Sequence, residues 1–322
     1  MENSELPDSP RLVADVGGTN ARFSLETSQG VFEHTKVLPC ADYPTIDAAL
    51  RTYLAEVKAL HVKQGGIAIA TPVEGDDVNM TNHHWGFSIE DVRRKIGFET
   101  LLVVNDFTAL AMSLPHLKDT QLKQIGGGMR RPHSVMGLIG PGTGLGVSGM
   151  VPFGTDGWTP LASEGGHVSF SPSNRREGDI LNFVWQERNH VSAERLVSGP
   201  GLVLIYRALC SLNNVTADPI DPIEIARRAR AKTCPVCTEV FSIFCSMLGN
   251  VASNLALTLG SFGGIYIGGG IIRKLGDLFD YDAFRRHFET KGRFSRYLSR
   301  IPTYLIIEDY PAFLGVSALL NR

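Results

Sequence analysis

Two glycine-rich turns constrain this chain most, because each lies between apolar β-type runs at the same place in two successions of elements that read alike. In the first succession, Leu12 to Val16 and Ala21 to Leu25 flank Gly17-Gly18, and Val31 to Leu38 supplies a third β-like run. Thr45 then opens an amphipathic helix with Ile46, Leu50, Tyr53, Leu54, Val57 and Leu60 on one side. Gly66 to Thr71 gives a fourth strand. Ser88 is placed to cap a helix through Ile96 that Gly97 stops, Leu101 to Asn105 reads as a short buried strand, and Asp106 as the cap of a helix ending before Pro115.

The same order is traceable again. His133 to Gly140 and Leu145 to Phe153 flank Gly140-Pro141-Gly142-Thr143-Gly144, and Trp158 to Ala162 follows. After an insertion rich in helix signals, roughly 171 to 232, comes a helix with Phe241, Phe244, Leu248, Val251, Leu255 and Leu259 on one face. Strand Gly264 to Ile267 runs into Gly268-Gly269-Gly270; Tyr304 to Ile307 and Phe313 to Leu320 read as the last strand and helix. Two half-chains with one element order predict a duplicated α/β unit whose halves face a cleft, where small ligands bind.

Composition supports this reading and narrows the ligand. A chain of 322 residues exceeds what one core usually organises, so two domains are expected. With 43% hydrophobic and 20% charged residues the chain is globular rather than disordered. A net charge of -2, without basic blocks interleaved with aromatics, excludes a nucleic-acid partner and favours a small neutral or anionic ligand. Cys40, Cys210, Cys234, Cys237 and Cys245 are odd in number and scattered, which fits a reducing compartment, the cytoplasm; Met1 to Pro10 lacks a signal-like apolar run. Val240 to Ile272 carries no charge and is long enough to span a bilayer, but Asn250, Asn254 and six glycines from Gly260 to Gly270 divide it into a buried helix and a strand. No membrane association is expected.

Several segments carry polar chemistry. A Gly-Gly hairpin leaves backbone N–H groups open to polyphosphate oxygens; beside it Asp15 is an oxygen ligand for Mg2+, directly or through water, and Thr19 a hydroxyl donor. An ordinary hairpin would carry the same dipeptide. Gly144-Leu145-Gly146-Val147-Ser148-Gly149 matches G-x-G-x-x-G, yet a returning strand follows where a dinucleotide site needs a helix, and no Walker-type loop is present. Asn105-Asp106 ends a strand where a carboxylate can take a substrate proton, although Asp is also a favoured N-cap. Glu164-Gly165-Gly166-His167 sets acceptor and donor around two glycines that would let another molecule approach, which suits a polyhydroxylated ligand; a solvated turn is the alternative. Glu194 reads equally as a first-turn carboxylate favoured by the helix dipole. Gly268-Gly269-Gly270 could lie against an adenine or ribose, or be a tight βα corner. Cys234-Pro235-Val236-Cys237 and His83-His84 lack the partners of a metal site.

Together these segments resemble the bacterial glucokinases. The likeness rests on Leu12 to Arg22, Met80-Thr81-Asn82-His83-His84-Trp85, Val104 to Ala109, Gly142 to Val147, Glu164 to Val168, Ser192 to Arg195 and Leu196 to Gly201, and runs from about Arg11 to the C-terminus. The resemblance implies an actin-like, ribonuclease-H-like ATPase duplication, with residues 1–116 plus 307–322 as the small domain and 117–306 as the large one. It implies ATP- and Mg2+-dependent phosphorylation of glucose to glucose 6-phosphate, the first step of glycolysis, by a cytoplasmic homodimer. Asp106 matches the general base, and Asn105, Glu164, His167 and Glu194 match sugar-binding positions. Ala14, Asp15, Val16, Gly17, Gly18 and Thr19 match the ATP segment, with Gly142, Thr143, Gly144, Gly268 and Gly269 completing that site. Residues 168 to 190 hold no cysteine, unlike the zinc-containing repressor-related group. A kinase for another hexose or amino sugar, and a non-enzymatic sugar-binding regulator, are the alternatives.

Overall fold

A computed structural model describes residues 10–81 and 83–322. Of the sequence features above, most of the Met1 to Pro10 stretch and Asn82 lie outside the described residues. The chain divides into two compact units, one holding the described residues to Lys118 with Glu308–Arg322, the other Asp119–Ile307.

The first unit is built on a five-stranded sheet. Its order is Val31–Pro39, Asn20–Ser28, Arg11–Val16, Gln64–Ile69, Thr100–Asn105. The first three pair antiparallel through tight turns, and the last two join Arg11–Val16 in parallel, because a helical crossover precedes each. Ile46–Glu56, capped by the Thr45 hydroxyl, supplies one crossover and buries Ile46, Ala49, Leu50, Tyr53 and Leu54. Ile89–Ile96 supplies the other, opened by Ser88 and closed by Gly97 at φ 87°, a left-handed residue that suits glycine. The final helix of the chain, Pro311–Leu320, packs in this unit against Asp106–Ser113 and the sheet.

In the second unit a six-stranded sheet repeats that order. Gly157–Leu161, Leu145–Phe153, Met136–Pro141, Gly264–Ile267 and Thr303–Ile306 follow one another with the same antiparallel and parallel senses, and Leu122–Ile125 adds an antiparallel edge. Leu145–Phe153 is the returning strand its alternation predicts, so the G-x-G-x-x-G string lies in a hairpin. Pro235–Leu259 is long and apolar enough to cross a membrane by length and composition, but it lies in the core, packed against Gly199–Leu212, Pro222–Arg230 and Tyr281–Glu289. Tyr281–Glu289, started by Asp280 accepting from Ala283 N, and the small strand pair Asp77–Asn79 with Gly86–Ser88 add elements beyond the sequence reading.

Candidate functional site

In the first unit, the polar residues singled out from sequence collect at the carboxyl ends of the three parallel strands. Val16 and Asn105 both align with Ile69, so Asp15, Thr71 and Asp106 emerge at one edge of the sheet, where the side chains of an α/β sheet meet ligands. The turn between the first two strands is three residues long, Gly17-Gly18-Thr19, closed by Gly17 N donating to Asn20 O at 3.0 Å. A Cβ built on Gly17 would meet only Asn20 O, at 3.6 Å, an ordinary contact. The fold therefore does not need glycine there. Thr19 is exposed at the tip, whereas the side chains of Ala14 and Val16 are fully in the core and can offer a ligand only backbone.

Asp15 has a partner that the sequence reading missed. Arg22 Nη1 donates to Asp15 Oδ2 at 3.2 Å, directly across the hairpin from it. The pairing follows from the strand register, in which Val16 faces Ala21 and Asp15 therefore faces Arg22. Burial raises the Asp15 pKa above its usual value, and the Arg22 charge pulls against that rise.

The structure corrects the reading of Asp106 as an N-cap. Asn105 caps Asp106–Ser113, its Oδ1 accepting from Phe107 N at 3.0 Å and Thr108 N at 3.2 Å, while Asp106 is the first helical residue. The amide wins because the residue ending the strand has extended backbone and the following one is already helical. Asn105 Nδ2 donates to Thr71 O at 3.3 Å and to Asp106 Oδ1 at 3.1 Å, so Asn105 both starts the helix and orients the carboxylate. Asp106 Oδ1 also accepts from Phe107 N at 2.9 Å. Burial first, and then the negative charge of Asp15, push the Asp106 pKa up to about 6. A carboxylate so tuned can hold or release a proton near neutral pH.

In the second unit the corresponding turn, Gly142-Thr143-Gly144, is also three residues long, with Thr143 exposed and Gly142 N donating to Gly144 O at 2.7 Å. Gly142 is as open as Gly17, a Cβ there meeting only Gly144 O at 4.0 Å, but Gly144 is not: its Cβ would lie 2.3 Å from Glu194 Oε2. That oxygen accepts from Leu145 N at 2.9 Å. Glu194 thus stands in the first turn of Ala193–Leu196 and also spans to the glycine turn, a link of 49 residues that sequence spacing could not carry.

Glu164, His167 and Glu194 come together. His167 Nε2 lies 3.9 Å from Glu164 Oε2, and its Nδ1 lies 3.9 Å from Glu194 Oε1, so the imidazole sits between two carboxylates beyond direct hydrogen-bond range. Glu164 and His167 are largely exposed, leaving donors and acceptors for hydroxyl groups. The two glycines need a different explanation from the one expected. A Cβ on Gly166 would lie 1.9 Å from Leu145 O and one on Gly165 2.8 Å from the Val147 side chain, so they let the chain's own strand approach rather than another molecule. A short bridge, Ser169 opposite Ser192, with Phe170 N donating to Val191 O at 2.9 Å, delivers Glu194 beside this segment.

The third glycine segment turns out to be a fold requirement at its centre. Gly269 has φ 90°, and its Cβ would lie 2.5 Å from Pro141 O, so the βα corner needs glycine there whatever else binds. Cys234 is the N-cap of Pro235–Leu259, its Sγ accepting from Cys237 N at 3.4 Å, and His83 Nδ1 accepts from Trp85 N at 3.3 Å. Among the described residues no cluster of three His, Cys, Asp or Glu side chains is arranged to hold a metal ion.

Comparison with known proteins adds a family likeness to this geometry. The family model described as Glucokinase matches residues 12–322. A "Bifunctional protein glk" of Paraburkholderia xenovorans is 55% identical over 97% of this chain, which covers 49% of that protein. A "Glucokinase" of Chromobacterium violaceum is 52% identical, with 98% of this chain and 90% of that one aligned. The crystal structure of a glucokinase from an Antarctic psychrotroph superposes with a TM-score of 0.89 at 35% identity, over 97% of this chain and 99% of that one. The chain spans about half the length of the bifunctional relatives it matches.

Proposed function

Because the chain belongs to the glucokinase family and has its actin-like α/β fold, we propose that it transfers the γ-phosphoryl group of MgATP to the 6-hydroxyl of glucose, giving glucose 6-phosphate and ADP. The observation that carries this reading is the Asp106 carboxyl, held by Asn105 at the strand ends beside the open Gly17 turn, with its pKa pushed up to about 6. Asp106 accepts the proton of the attacking hydroxyl. Asn105, Glu164, His167 and Glu194 bind the sugar hydroxyls. The N–H groups of the segment Ala14 to Thr19 and of Gly142, Thr143 and Gly144 hold phosphate oxygens, while Gly268 and Gly269 lie along the nucleoside.

Phosphoryl transfer spreads charge over the equatorial oxygens of a loose transition state, so positioning and electrostatics do most of the work. Mg2+ supplies neutralisation of the phosphate charge when bound. The carboxylates fit such a cation, since Asp15 already raises the Asp106 pKa by like-charge repulsion that a cation would relieve. Asp15 would hold it through water, keeping its contact with Arg22. A homodimer in the cytoplasm belongs to the same proposal. Five free cysteines support the reducing compartment, and sedimentation would test the dimer.

The deciding experiment is an ADP-release assay with ATP and Mg2+ across glucose, mannose, fructose and glucosamine. We expect glucose to give the highest kcat/KM. A higher value for another acceptor would assign the chain to that sugar, and sugar binding by calorimetry without turnover with any of them would make it a regulator.

A further inference from the structure

The segment carrying Glu164 and His167 continues to Ser173, packed at Gly165, Gly166 and Phe170 but bordered by open space for part of its length. Gly165 and Val168 to Ser171 border a cavity of about 270 Å³, which Val251 and Leu255 of the long helix line from the other side. Two sets of hydrogen bonds hold the segment beside that cavity. One is the bridge to Val191–Ala193 that also brings in Glu194. The other is a polar anchor at Ser171 and Ser173, built from nearby Glu177 together with Asn250, His287 and Lys291 from far away in the chain.

That anchor is buried and charged. Asn250, 1% exposed, donates from Nδ2 to Ser171 O at 2.7 Å and accepts at Oδ1 from the Lys291 ammonium. Ser173 N and Oγ donate to Glu177 Oε2 at 2.6 and 2.9 Å, and the same hydroxyl lies 3.4 Å from His287 Nδ1. Glu177 is wholly buried, and its Oε1 has no hydrogen-bond partner. Helix capping alone does not account for it. Asn174 already caps Arg175–Trp185 by accepting from Glu177 N at 3.0 Å, and a neutral Gln could take the Ser173 hydrogens without burying a charge. What the charge adds is attraction to Lys291, whose pKa burial lowers and Glu177 raises.

We infer that Glu177 is a positioning residue for the acceptor site: with Asn250 and Lys291 it fixes Ser171 and Ser173, and so sets where Glu164 and His167 present their polar atoms. This rests on the sugar-binding role proposed above for Glu164 and His167. A buried carboxylate with one oxygen unpartnered is a costly way to stabilise a helix start, so the geometry points to placement of the segment rather than to stability.

Glu177→Gln separates the two roles, because it keeps the cap and removes the charge. We expect its glucose KM to rise about five- to tenfold, with kcat and the ATP KM within about twofold of the parent. Lys291→Met should give the same split, and the double variant should be no worse than either alone. Hydrogen exchange of the ligand-free protein supplies a readout independent of turnover. Amides of residues 164–173 should exchange about fivefold or more faster in both variants, while those of Gly264–Ile267 do not change. If the parent protein does not phosphorylate glucose, the functional reading fails and exchange still decides the anchor. If the parent is active and both variants keep parental KM and exchange, Glu177 is only a cap and the inference fails. A fall in kcat in step with Tm, without the KM split, overturns it equally. Should Glu177→Gln not fold, Lys291→Met and Asn250→Ala carry the same tests.

Discussion

The Asp106 carboxylate is destabilising to the folded chain in the ionised form that its proposed role requires. Its pKa stands at about 6 in the fold against 3.8 in the unfolded chain, because burial and then Asp15 oppose ionisation. Between those values the folded chain binds more protons than the unfolded one, so the stability contributed at this site is fullest below about pH 4 and declines as pH rises through about 6. Asp106→Asn removes that decline while keeping an oxygen that can accept from Phe107 N. We expect the variant to be more stable than the parent at pH 8, by on the order of 2 kcal/mol, with little difference at pH 4; thermal denaturation at both values measures it. Turnover should fall about 10²- to 10⁴-fold with glucose affinity kept, and near-normal turnover would end the base assignment. In the parent, kcat/KM should drop below about pH 6 with the slope of a single proton, since protonated Asp106 cannot accept another.

At the scale of elements, the two hairpin turns and the Gly-Gly corner separate glycines that the fold needs from glycines it does not. Gly17→Ala adds a Cβ with only an ordinary contact, so stability should change by less than about 0.5 kcal/mol, while the ATP KM rises about tenfold as the methyl crowds the phosphates. Gly166→Ala drives a Cβ to 1.9 Å from Leu145 O and should cost about 3 kcal/mol or more, visible as a lower Tm before any kinetic assay. A Gly17 variant with unchanged ATP KM would return that turn to an ordinary hairpin. Neither distinction is legible in the sequence, because both glycines stand in similar Gly-Gly pairs and the partner of Gly166 is 21 residues away in the chain. What the sequence does carry is local: the caps at Thr45 and Ser88 and the Gly97 stop place both helix starts and the second helix's end, whereas the first helix ends at Glu56, short of the expected Val57 and of Leu60, which is exposed. The Asn105 cap was missed because Asn and Asp are adjacent and equally suited, so only the backbone angle of the strand end decides between them. Glu177 and the Asp15–Arg22 pair were missed for a related reason: composition predicts charged residues to be solvated, and burial is a property of the assembled fold.

At the scale of the whole molecule, the first strand and the last helix are joined within one unit. Arg11, 2% exposed, donates to Glu26 Oε2 through Nε and Nη2 at 3.1 and 2.6 Å, and to Asn321 Oδ1 at 2.6 Å. The other Glu26 oxygen accepts from Ser317 Oγ at 2.6 Å and Gly30 N at 3.0 Å, so this buried carboxylate, unlike Glu177, has both oxygens satisfied. The first strand therefore completes its polar partners only with the last helix, through contacts between segments about 300 residues apart. Glu26→Ala would leave the Arg11 guanidinium buried without its counter-charge, a change expected to cost about 3–5 kcal/mol. Its local signature should be faster hydrogen exchange in Arg11–Val16 and Pro311–Leu320 together, with Gly264–Ile267 in the second unit retaining parental protection. Loss of less than about 1 kcal/mol in denaturant, or faster exchange in only one of the two segments, would mean that apolar packing of Phe313 and Val316 holds the last helix without the charged network.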